Sequence, residues 1–336
     1  MSFESLEVHS SGSSSHPAEA RRSIMILWEH QRKALDFIEN KTIREPGRSL
    51  VVMPPGAGKS EVACQALLGW LRLSTTHRAV VCVPARRLLG QFYQRLCTLT
   101  REPIAFEQGA RRPSSAHRIV LASQLSLIDR LSGYSSNNTL MIIDEVHHSN
   151  YDAPDFRRVL SRFDRTIGLS ATPWTEGMTR QFPNVYFYSL TSAVSDKVIC
   201  PVEVHAAVDL SPSGECHTLV FVASNAEARS KAARFSSADW IGHSRSDSEN
   251  LSAISRWRNR NIETLFVNRM LLEGYDTPET SAVWIDHRLD SVVMCAQIVG
   301  RALRYKPQKT AKVYVTCPDT LATVSEALQR MQHAPR

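Results

Sequence analysis

Short runs of apolar residues recur along the chain, and stretches with helical spacing of apolar positions separate them. Each run is about one strand long, and its residues are continuously apolar instead of alternating with polar ones. Continuous runs are typical of strands buried on both faces, as in a parallel sheet covered by helices. The first half is therefore predicted to be a doubly wound α/β domain, with strands at 50–53, 79–83, 118–121, 139–143 and 166–169.

The second half repeats this alternation, which predicts a second α/β domain in tandem with the first. No internal sequence repeat relates the two halves. The predicted strands of the second half are 218–222, 238–241, 263–267, 282–285 and 312–316, and its predicted helices are 225–235, 247–258, 291–303 and 319–332.

The chain divides into four predicted segments. Residues 1–23 are rich in serine and poor in large apolar residues, which predicts a disordered tail. Residues 24–193 are predicted to form the first domain, and residues 205–336 the second. Residues 194–204 are predicted to be the hinge, since they lie between the two sets of elements and contain Pro201.

Composition narrows the class of protein. The 336 residues suffice for two domains of about 150 residues each. A net charge of +7 is compatible with a polyanionic partner. No apolar stretch approaches the roughly 20 residues of a membrane span, so no membrane association is expected. The seven cysteines show no paired CxxC spacing, and we therefore expect reduced thiols in a cytoplasmic protein without a zinc module.

A glycine turn follows the apolar run at 50–53. Gly56 and Gly58 let the backbone curl around a phosphate chain, and the helix that follows adds a partial positive charge there. Lys59 supplies a charge for the β- and γ-phosphates, and Ser60 supplies a hydroxyl for Mg²⁺. The strict phosphate-loop pattern has Gly where this chain has Met53, so a chance glycine turn is the alternative for the loop taken alone.

A pair of carboxylates follows the apolar run at 139–143. Asp144 and Glu145 would lie at the carboxyl end of a central strand, where open α/β sheets bind their ligands. We expect Asp144 to hold the metal directly or through water, and Glu145 to orient and deprotonate the water that attacks the γ-phosphate. A solvated turn is the alternative for the pair taken alone, and the phosphate loop upstream favours the catalytic interpretation.

Nine motifs in the correct order make the chain resemble a superfamily 2 helicase of the DEAH/DEXH type. The likeness covers roughly residues 26–316, and it is greatest to the motor subunits of restriction enzymes and to DNA-repair helicases. It implies two RecA-like doubly wound parallel-sheet domains in tandem. The motifs lie at residues 27–31, 53–60, 81–91, 120–124, 144–148, 168–173, 219–224, 272–278 and 297–304.

The resemblance implies a role for further residues. Arg301 and Arg304 would reach from the second domain to the γ-phosphate, and a basic helix surface is the alternative for them taken alone. ATP would be bound by Gln31, Pro55, Gly56, Ala57, Gly58, Lys59, Ser60, Gly274 and Asp276, and His147, Ser170, Thr172 and Gln297 would couple the ATP site to domain closure. Nucleic acid would contact Arg86, Ser123, Gln124, Ser224, Asn225 and Arg269, although Ser224 and Asn225 could equally serve only to cap a helix.

The function expected from this resemblance is that of an ATP- and Mg²⁺-dependent DNA helicase or translocase. An RNA helicase with the same motor is an alternative, because no residue in the sequence is identified unambiguously as a contact for the 2′-hydroxyl, the group that distinguishes RNA from DNA. A nucleic-acid-gated ATPase that acts as a switch or loading scaffold without unwinding is another. About twenty residues follow the last predicted strand, and the tail before the first motif is predicted to be disordered, so no accessory domain is expected. We therefore expect a motor that unwinds weakly by itself and takes its specificity from a partner protein.

Overall fold

The structure is a computed structural model, and it describes residues 27–84, 86–148, 153–172, 176–212, 217–268, 270–271, 277 and 279–334. Residues 86, 87, 148 and 176 are described by their backbone alone. The strands are β1 Gly47–Val52, β2 Arg78–Val83, β3 Ile104–Glu107, β4 Ile119–Ser123, β5 Thr139–Ile143, β6 Arg165–Ser170, β7 Asn184–Phe187, β8 Val202–Ala206, β9 Thr218–Phe221, β10 Ala238–Ile241, β11 Thr264–Val267, β12 Ala282–Ile285 and β13 Ala311–Val315.

Helices connect these strands. The α-helices are α1 Glu29–Ile38, α2 Lys59–Leu73, α3 Arg86–Leu99, α4 Gln124–Ile128, α5 Pro154–Arg162, α6 Glu176–Gln181, α7 Leu190–Ser195, α8 Asn225–Ala232, α9 Asp247–Arg258, α10 Val292–Ala302 and α11 Pro318–Gln332. A π-helical turn, Glu39–Ile43, continues α1, and two 3-10 turns lie at Leu131–Gly133 and Val146–His148. None of the helices in the described ranges combines the length and the apolar character that a membrane span requires.

The first domain is built on a seven-stranded sheet with the order β3-β4-β2-β5-β6-β1-β7. All its neighbouring strands are parallel. Strands β1 and β5 flank β6, so the chain that leaves each of the three emerges at one edge of the sheet. That edge therefore brings the phosphate loop, the carboxylate pair and the residues after β6 together.

The second domain is built on a six-stranded parallel sheet with the order β10-β11-β9-β12-β13-β8. Helices α10 and α11 pack against each other and against β13. The two sheets confirm the predicted fold class of two tandem doubly wound parallel-sheet domains.

The ten predicted strands agree with the structure to within three residues at each end, whereas β3, β7 and β8 were not predicted. The predicted hinge, 194–204, overlaps the end of α7 and the beginning of β8. Because β8 pairs with β13, residues 202–204 belong to the second sheet. Within the linker, Ile199 and Cys200 are fully buried in an apolar cluster shared by the two domains. The division into domains stays a prediction.

Candidate functional site

A cavity of about 770 Å³ lies between the carboxyl edge of the first sheet and α10. Its size is that of a pocket for a ligand such as a nucleotide. Its walls come from the phosphate loop, α2, α3, the ends of β5 and β6, and α10. The lining residues are Pro55, Gly56, Gly58, Lys59, Ser60, Glu61, Leu88, Gln91, Gln94, Arg95, Thr98, Asp144, Glu145, Ala171, Thr277, Gln297, Gly300, Arg301 and Arg304.

The phosphate loop has the left-handed backbone that its glycines allow. Gly56 and Gly58 have backbone φ values of 87° and 86°, which residues other than glycine rarely adopt. Gly58 is the N-cap of α2, and Lys59 is the first residue of that helix. Met53, the position at which the sequence departs from the strict pattern, is fully buried in the core. Its side chain therefore does not occupy the phosphate position, and the loop keeps its shape.

Lys59 lies at the floor of the cavity with little exposure to solvent. Its Nζ donates a hydrogen bond to the carbonyl of Met53 at 3.1 Å, which holds the ammonium beside the loop. Burial lowers the pKa of Lys59, and the carboxylates of Glu145 and Asp144 oppose that shift. A bound anion would stabilise the charged ammonium further, so the site suits a phosphate group.

Asp144 and Glu145 follow β5 at the same edge. Asp144 is 5% exposed, and its backbone N–H donates to the carbonyl of Cys82 on the neighbouring strand at 2.9 Å. Glu145 has a φ of 46°, an uncommon value for a residue other than glycine. Such strain is found where the surrounding structure imposes it, often at functional sites. With this backbone conformation, the successive residues Asp144 and Glu145 both line the same cavity.

His147 connects the carboxylates to β6 and to the second domain. Its side chain is 2% exposed, and its Nε2 accepts a hydrogen bond from Nε2 of Gln297 on α10 at 3.2 Å. The ring proton therefore lies on Nδ1, which donates to Oγ of Ser170 at 3.0 Å and lies 3.3 Å from Oε2 of Glu145. That oxygen of Glu145 is buried and makes no hydrogen bond of good geometry within the described residues.

Ser170 extends this chain of hydrogen bonds along the end of β6. Its Oγ donates to the carbonyl of Thr172 and accepts from the Thr172 N–H, both at 3.0 Å. A path of hydrogen bonds therefore joins Gln297, His147, Ser170 and Thr172 from the second domain to the first. The four residues predicted to couple the domains lie in direct contact, and their coupling role stays a prediction.

Helix α10 approaches the phosphate loop closely. A Cβ atom built on Gly300 would lie closer than 3.0 Å to the ring of Pro55. One built on Gly56 would lie 3.5 Å from Cδ of Arg304 and 3.7 Å from Ile199 in the linker. Arg304 therefore lies over the loop, and Arg301, one turn earlier, lines the same cavity. Both arginines are near the place where phosphates would bind, and their catalytic role stays a prediction.

The residues at the start of α1 contact the other side of the loop. Nε2 of His30 donates to the carbonyl of Ala57 at 2.9 Å, and its ring stacks on Tyr188 with centroids 4.4 Å apart. Gln31 lies against Gly58, and its Oε1 accepts from the Trp28 N–H at 3.0 Å. Gln31 was predicted from the sequence, whereas His30 was missed although it is the adjacent residue.

The magnesium ligands proposed from the sequence, Ser60 and Asp144, both line the cavity. The described residues contain no cluster of three or more His, Cys, Asp or Glu side chains that could hold a metal by themselves. Mg²⁺ typically takes only one or two protein ligands and completes its octahedron with phosphates and water. A carboxylate and a hydroxyl beside a phosphate site therefore fit this ion.

Helix α3 contributes a wall that the sequence did not predict. Arg95 donates from Nε to Oε2 of Glu61 at 2.6 Å, and Gln65 donates to the other oxygen of the same carboxylate at 2.8 Å. Glu61 directly follows Ser60, so this ion pair fixes the first turn of α2 to α3. The adjacency of Glu61 to the phosphate loop was the available signal, whereas the position of Arg95 depends on how α3 packs.

Four residues predicted to contact nucleic acid and described with their side chains are absent from the cavity lining, namely Ser123, Gln124, Ser224 and Asn225. Ser123 ends β4 and Gln124 begins α4, both partly exposed. Ser224 caps α8 by accepting from the Glu227 N–H at 3.1 Å, which is the capping role considered above. The backbone of Arg86 begins α3, and Asn225 begins α8. Arg269, Gly274 and Asp276 lie outside the described residues.

Two parallel-sheet domains, with a phosphate loop in one and an arginine-bearing helix from the other, agree with the resemblance to superfamily 2 helicases that the sequence motifs predicted. Residues 24–175 match the protein family described as the type III restriction enzyme res subunit. The DEAH subtype stays a prediction.

Solved structures share the fold of both domains. The ATP-dependent Type ISP restriction-modification enzyme LlaBIII bound to DNA superimposes with a TM-score of 0.74 at 13% identity, over 92% of this chain and 30% of that one. Dbp5 of S. cerevisiae bound to RNA and ADP BeF3 superimposes with a TM-score of 0.65 at 14% identity, over 91% of this chain and 89% of that one. At such identities the likeness establishes the fold alone.

Two curated proteins are similar in sequence. The ATP-dependent DNA helicase mph1 of Neurospora crassa is 28% identical over 142 residues, which are 37% of this chain and 12% of mph1. The uncharacterized protein ML1624 of Mycobacterium leprae is 22% identical over 373 residues, covering 86% of this chain and 62% of ML1624. The chain therefore spans less than two thirds of either relative.

Proposed function

We propose that the chain is an ATP-driven nucleic-acid motor that acts on DNA. The observation that carries the proposal is the composition of one cavity. Lys59, Asp144 and Glu145 enter it from the first domain, and Arg301 and Arg304 enter it from the second. A nucleotide bound there would contact both domains, so binding and hydrolysis would be linked to their relative position.

In the proposed reaction the phosphate loop and Lys59 hold the β- and γ-phosphates. Glu145 orients and deprotonates the attacking water, and its carboxylate is kept in place by the left-handed backbone and by His147. Arg301 and Arg304 stabilise the charge that develops on the transferred phosphoryl group. Mg²⁺, held by Ser60 and Asp144, would neutralise charge on the phosphate oxygens.

Hydrolysis then alters the contacts between α10 and the phosphate loop. The path from Glu145 through His147 to Gln297 reports the state of the ATP site to the second domain. Gly274 and Asp276 are proposed to complete the nucleotide site from that domain. Nucleic acid is proposed to be held by its phosphates at Arg86, Ser123, Gln124, Ser224, Asn225 and Arg269, with little preference for sequence.

DNA is the preferred substrate in this proposal, and the DEAH/DEXH variant of the carboxylate motif supports that choice. Relatives named for DNA are mph1 and LlaBIII, whereas Dbp5 was solved with RNA. We also propose that a partner protein supplies specificity. A cytoplasmic location is proposed because the six cysteines in the described part of the chain are all unpaired.

The decisive experiment is ATP hydrolysis by the purified protein with single-stranded DNA, duplex DNA or RNA, each at two salt concentrations. Glu145→Gln keeps the size of the side chain and removes the base, so it serves as the control. Stimulation by DNA that weakens at high salt is expected. Stimulation by RNA alone would transfer the function to RNA remodelling, and turnover without strand displacement or translocation would make the protein an ATPase switch.

A further inference from the structure

Lys309 lies in the turn between α10 and β13, outside all nine motifs. Its Nζ donates hydrogen bonds to three main-chain carbonyl oxygens, at 2.5 Å to Ala302, 2.7 Å to Thr280 and 3.0 Å to Arg304. An ammonium group has three N–H donors and no acceptor. Each donor of Lys309 therefore has one partner, and the three partners come from two separate segments of the second domain.

The carbonyls that Lys309 contacts need such a partner. Ala302 ends α10, so its carbonyl has no acceptor role inside the helix and lies at the negative end of the helix dipole. Ala302 and Thr280 are both fully buried, so water cannot replace the ammonium easily. Leaving buried carbonyls without a partner is costly. Burial lowers the pKa of Lys309, and the charges of Lys306 and Arg304 lower it further.

The two segments joined by Lys309 both line the nucleotide cavity. One contains Thr277, whose carbonyl accepts from the Thr280 N–H at 3.2 Å. The other contains Arg304, whose side chain lies over Gly56 of the phosphate loop. Lys309 is therefore bound to the main chain of the residue that carries one of the two arginines.

The linker adds a second restraint at the same place. Cys200 donates from its N–H to the carbonyl of Leu303 at 3.0 Å, and its thiol donates to Ala302 at 3.4 Å. Ile199 pairs with Arg304 as an isolated β-bridge. The main chain of residues 302–304 is thus held both by the linker and by Lys309.

We propose that Lys309 is a positioning residue for Arg304, which follows the end of α10. By fixing the carbonyls of residues 302 and 304 against that of residue 280, it sets where Arg304 enters the nucleotide cavity. This inference rests on the proposed function, because the positioning has a consequence for turnover only if the cavity hydrolyses ATP. Lys309 itself does not touch the substrate.

Two substitutions of Lys309 distinguish the contribution of its ammonium group from that of the rest of its side chain. Lys309→Met keeps an unbranched stem of similar length and removes all three donors. Lys309→Arg keeps the charge, but a planar guanidinium cannot direct its donors to three carbonyls that converge on one point. Lys306→Met is the matched control, since Lys306 is exposed and lies in the same turn.

The test compares steady-state ATP hydrolysis of these variants with nucleic acid present. We expect Lys309→Met to lower kcat about tenfold to a hundredfold, with KM for ATP changed by less than about threefold, because misplacing a catalytic group affects the transition state more than ground-state binding. Lys306→Met should stay within about twofold of the wild type. Lys309→Arg should lower kcat as well, which keeps the test valid if the methionine variant does not fold.

A double-mutant cycle distinguishes positioning from general loosening. If Lys309 acts through Arg304, Lys309→Met should change kcat by less than about twofold in an Arg304→Ala background. Independent effects that multiply would overturn the proposal, as would a wild-type kcat in both Lys309 variants.

Hydrogen exchange gives a readout that does not depend on turnover. The amides of residues 303–305 should exchange faster in Lys309→Met than in Lys306→Met. Equal exchange in the two variants contradicts the anchoring of α10 by Lys309. If the wild type hydrolyses no ATP with any nucleic acid, the proposed function fails, and the exchange experiment still decides whether Lys309 holds this segment.

Discussion

Gly300 marks the closest approach between the two domains. A methyl group at this position would overlap the ring of Pro55, and neither α10 nor the phosphate loop has a flexible side chain there that could move aside. The absence of a side chain thus lets Arg301 on the same helix, and Arg304 just after its end, come near the phosphate loop. The contact between α10 and the phosphate loop therefore requires that residue 300 is glycine, since even the methyl group of alanine would overlap Pro55.

Gly300→Ala is therefore expected to separate α10 from the phosphate loop. A displacement of about 1 Å at a catalytic group can cost on the order of a hundredfold in rate, and we expect kcat for ATP to fall by about tenfold to a hundredfold. The control is Gly69→Ala in α2, where an added methyl group meets no atom within 4 Å. That variant should keep its kcat, and its stability should change by less than about 1 kcal/mol. Equal rates in both variants would contradict the role given to Gly300.

The hydrogen bond between Gln297 and His147 leads to a second prediction. Gln297→Ala removes the donor that defines the tautomer of His147, so the catalytic site loses its link to the second domain. The ratio of nucleic-acid-stimulated to basal ATP hydrolysis is expected to fall about tenfold. Gln329→Ala, at an exposed position of α11, is the control. An unchanged ratio in Gln297→Ala would show that coupling takes another path.

Residues of the proposed ATP site could be predicted from the sequence where a suitable residue type lies close in sequence to the end of a predicted strand. Asp144 directly follows an apolar run, and Lys59 follows one after a short glycine turn, so the ends of two strands place them. His30 and Arg95 could not be found in this way, because their contacts with Ala57 and Glu61 depend on how α1 and α3 pack. Lys309 was missed for the same reason. Its partners are main-chain carbonyl oxygens, which every residue has, so the sequence does not indicate them.

At the scale of elements, the strands missed by the sequence have one property in common. β3 and β7 are the two edges of the first sheet, and β8 is an edge of the second. An edge strand is in contact with solvent, and polar residues therefore interrupt its apolar pattern. In β8, Glu203 and His205 are exposed. A search for continuous apolar runs finds the buried interior strands and misses three of the four edges of the two sheets. The fourth edge, β10, was predicted.

The interior strand β2 leads to a prediction about pH. Burial raises the pKa of the Cys82 thiol to about 12. Between about pH 9 and pH 12, the thiol of Cys82 is therefore protonated in the folded protein, whereas in the unfolded chain, where its pKa is near 9, it has lost its proton. Between these values the folded state binds more protons, so stability falls as the pH rises.

The measurement is the free energy of unfolding at pH 7.5 and pH 9.5. The wild type should lose roughly 1 kcal/mol more than Cys82→Ala over this interval. Cys97→Ala is the control because Cys97 is exposed. If wild type and Cys82→Ala lost the same stability, the thiol of Cys82 would not be the cause.

At the scale of the whole molecule, residues of both domains line one cavity. In the proposed function the first domain supplies the groups that bind phosphate and activate water, and the second supplies Arg301 and Arg304. The linker contributes Ile199 and Cys200 to the same contact. Any change in the relative position of the domains would therefore alter this cavity, and the proposed motor depends on that link.

The most direct test of this account is a comparison of ATP binding and ATP hydrolysis in Arg304→Ala, with nucleic acid present. Arginines that complete a phosphoryl-transfer site contribute on the order of a thousandfold or more to the rate. We predict that kcat falls at least about a hundredfold while the Kd for ATP rises by less than about fivefold. Hydrolysis at the wild-type rate would contradict the central claim that the second domain completes the ATP site.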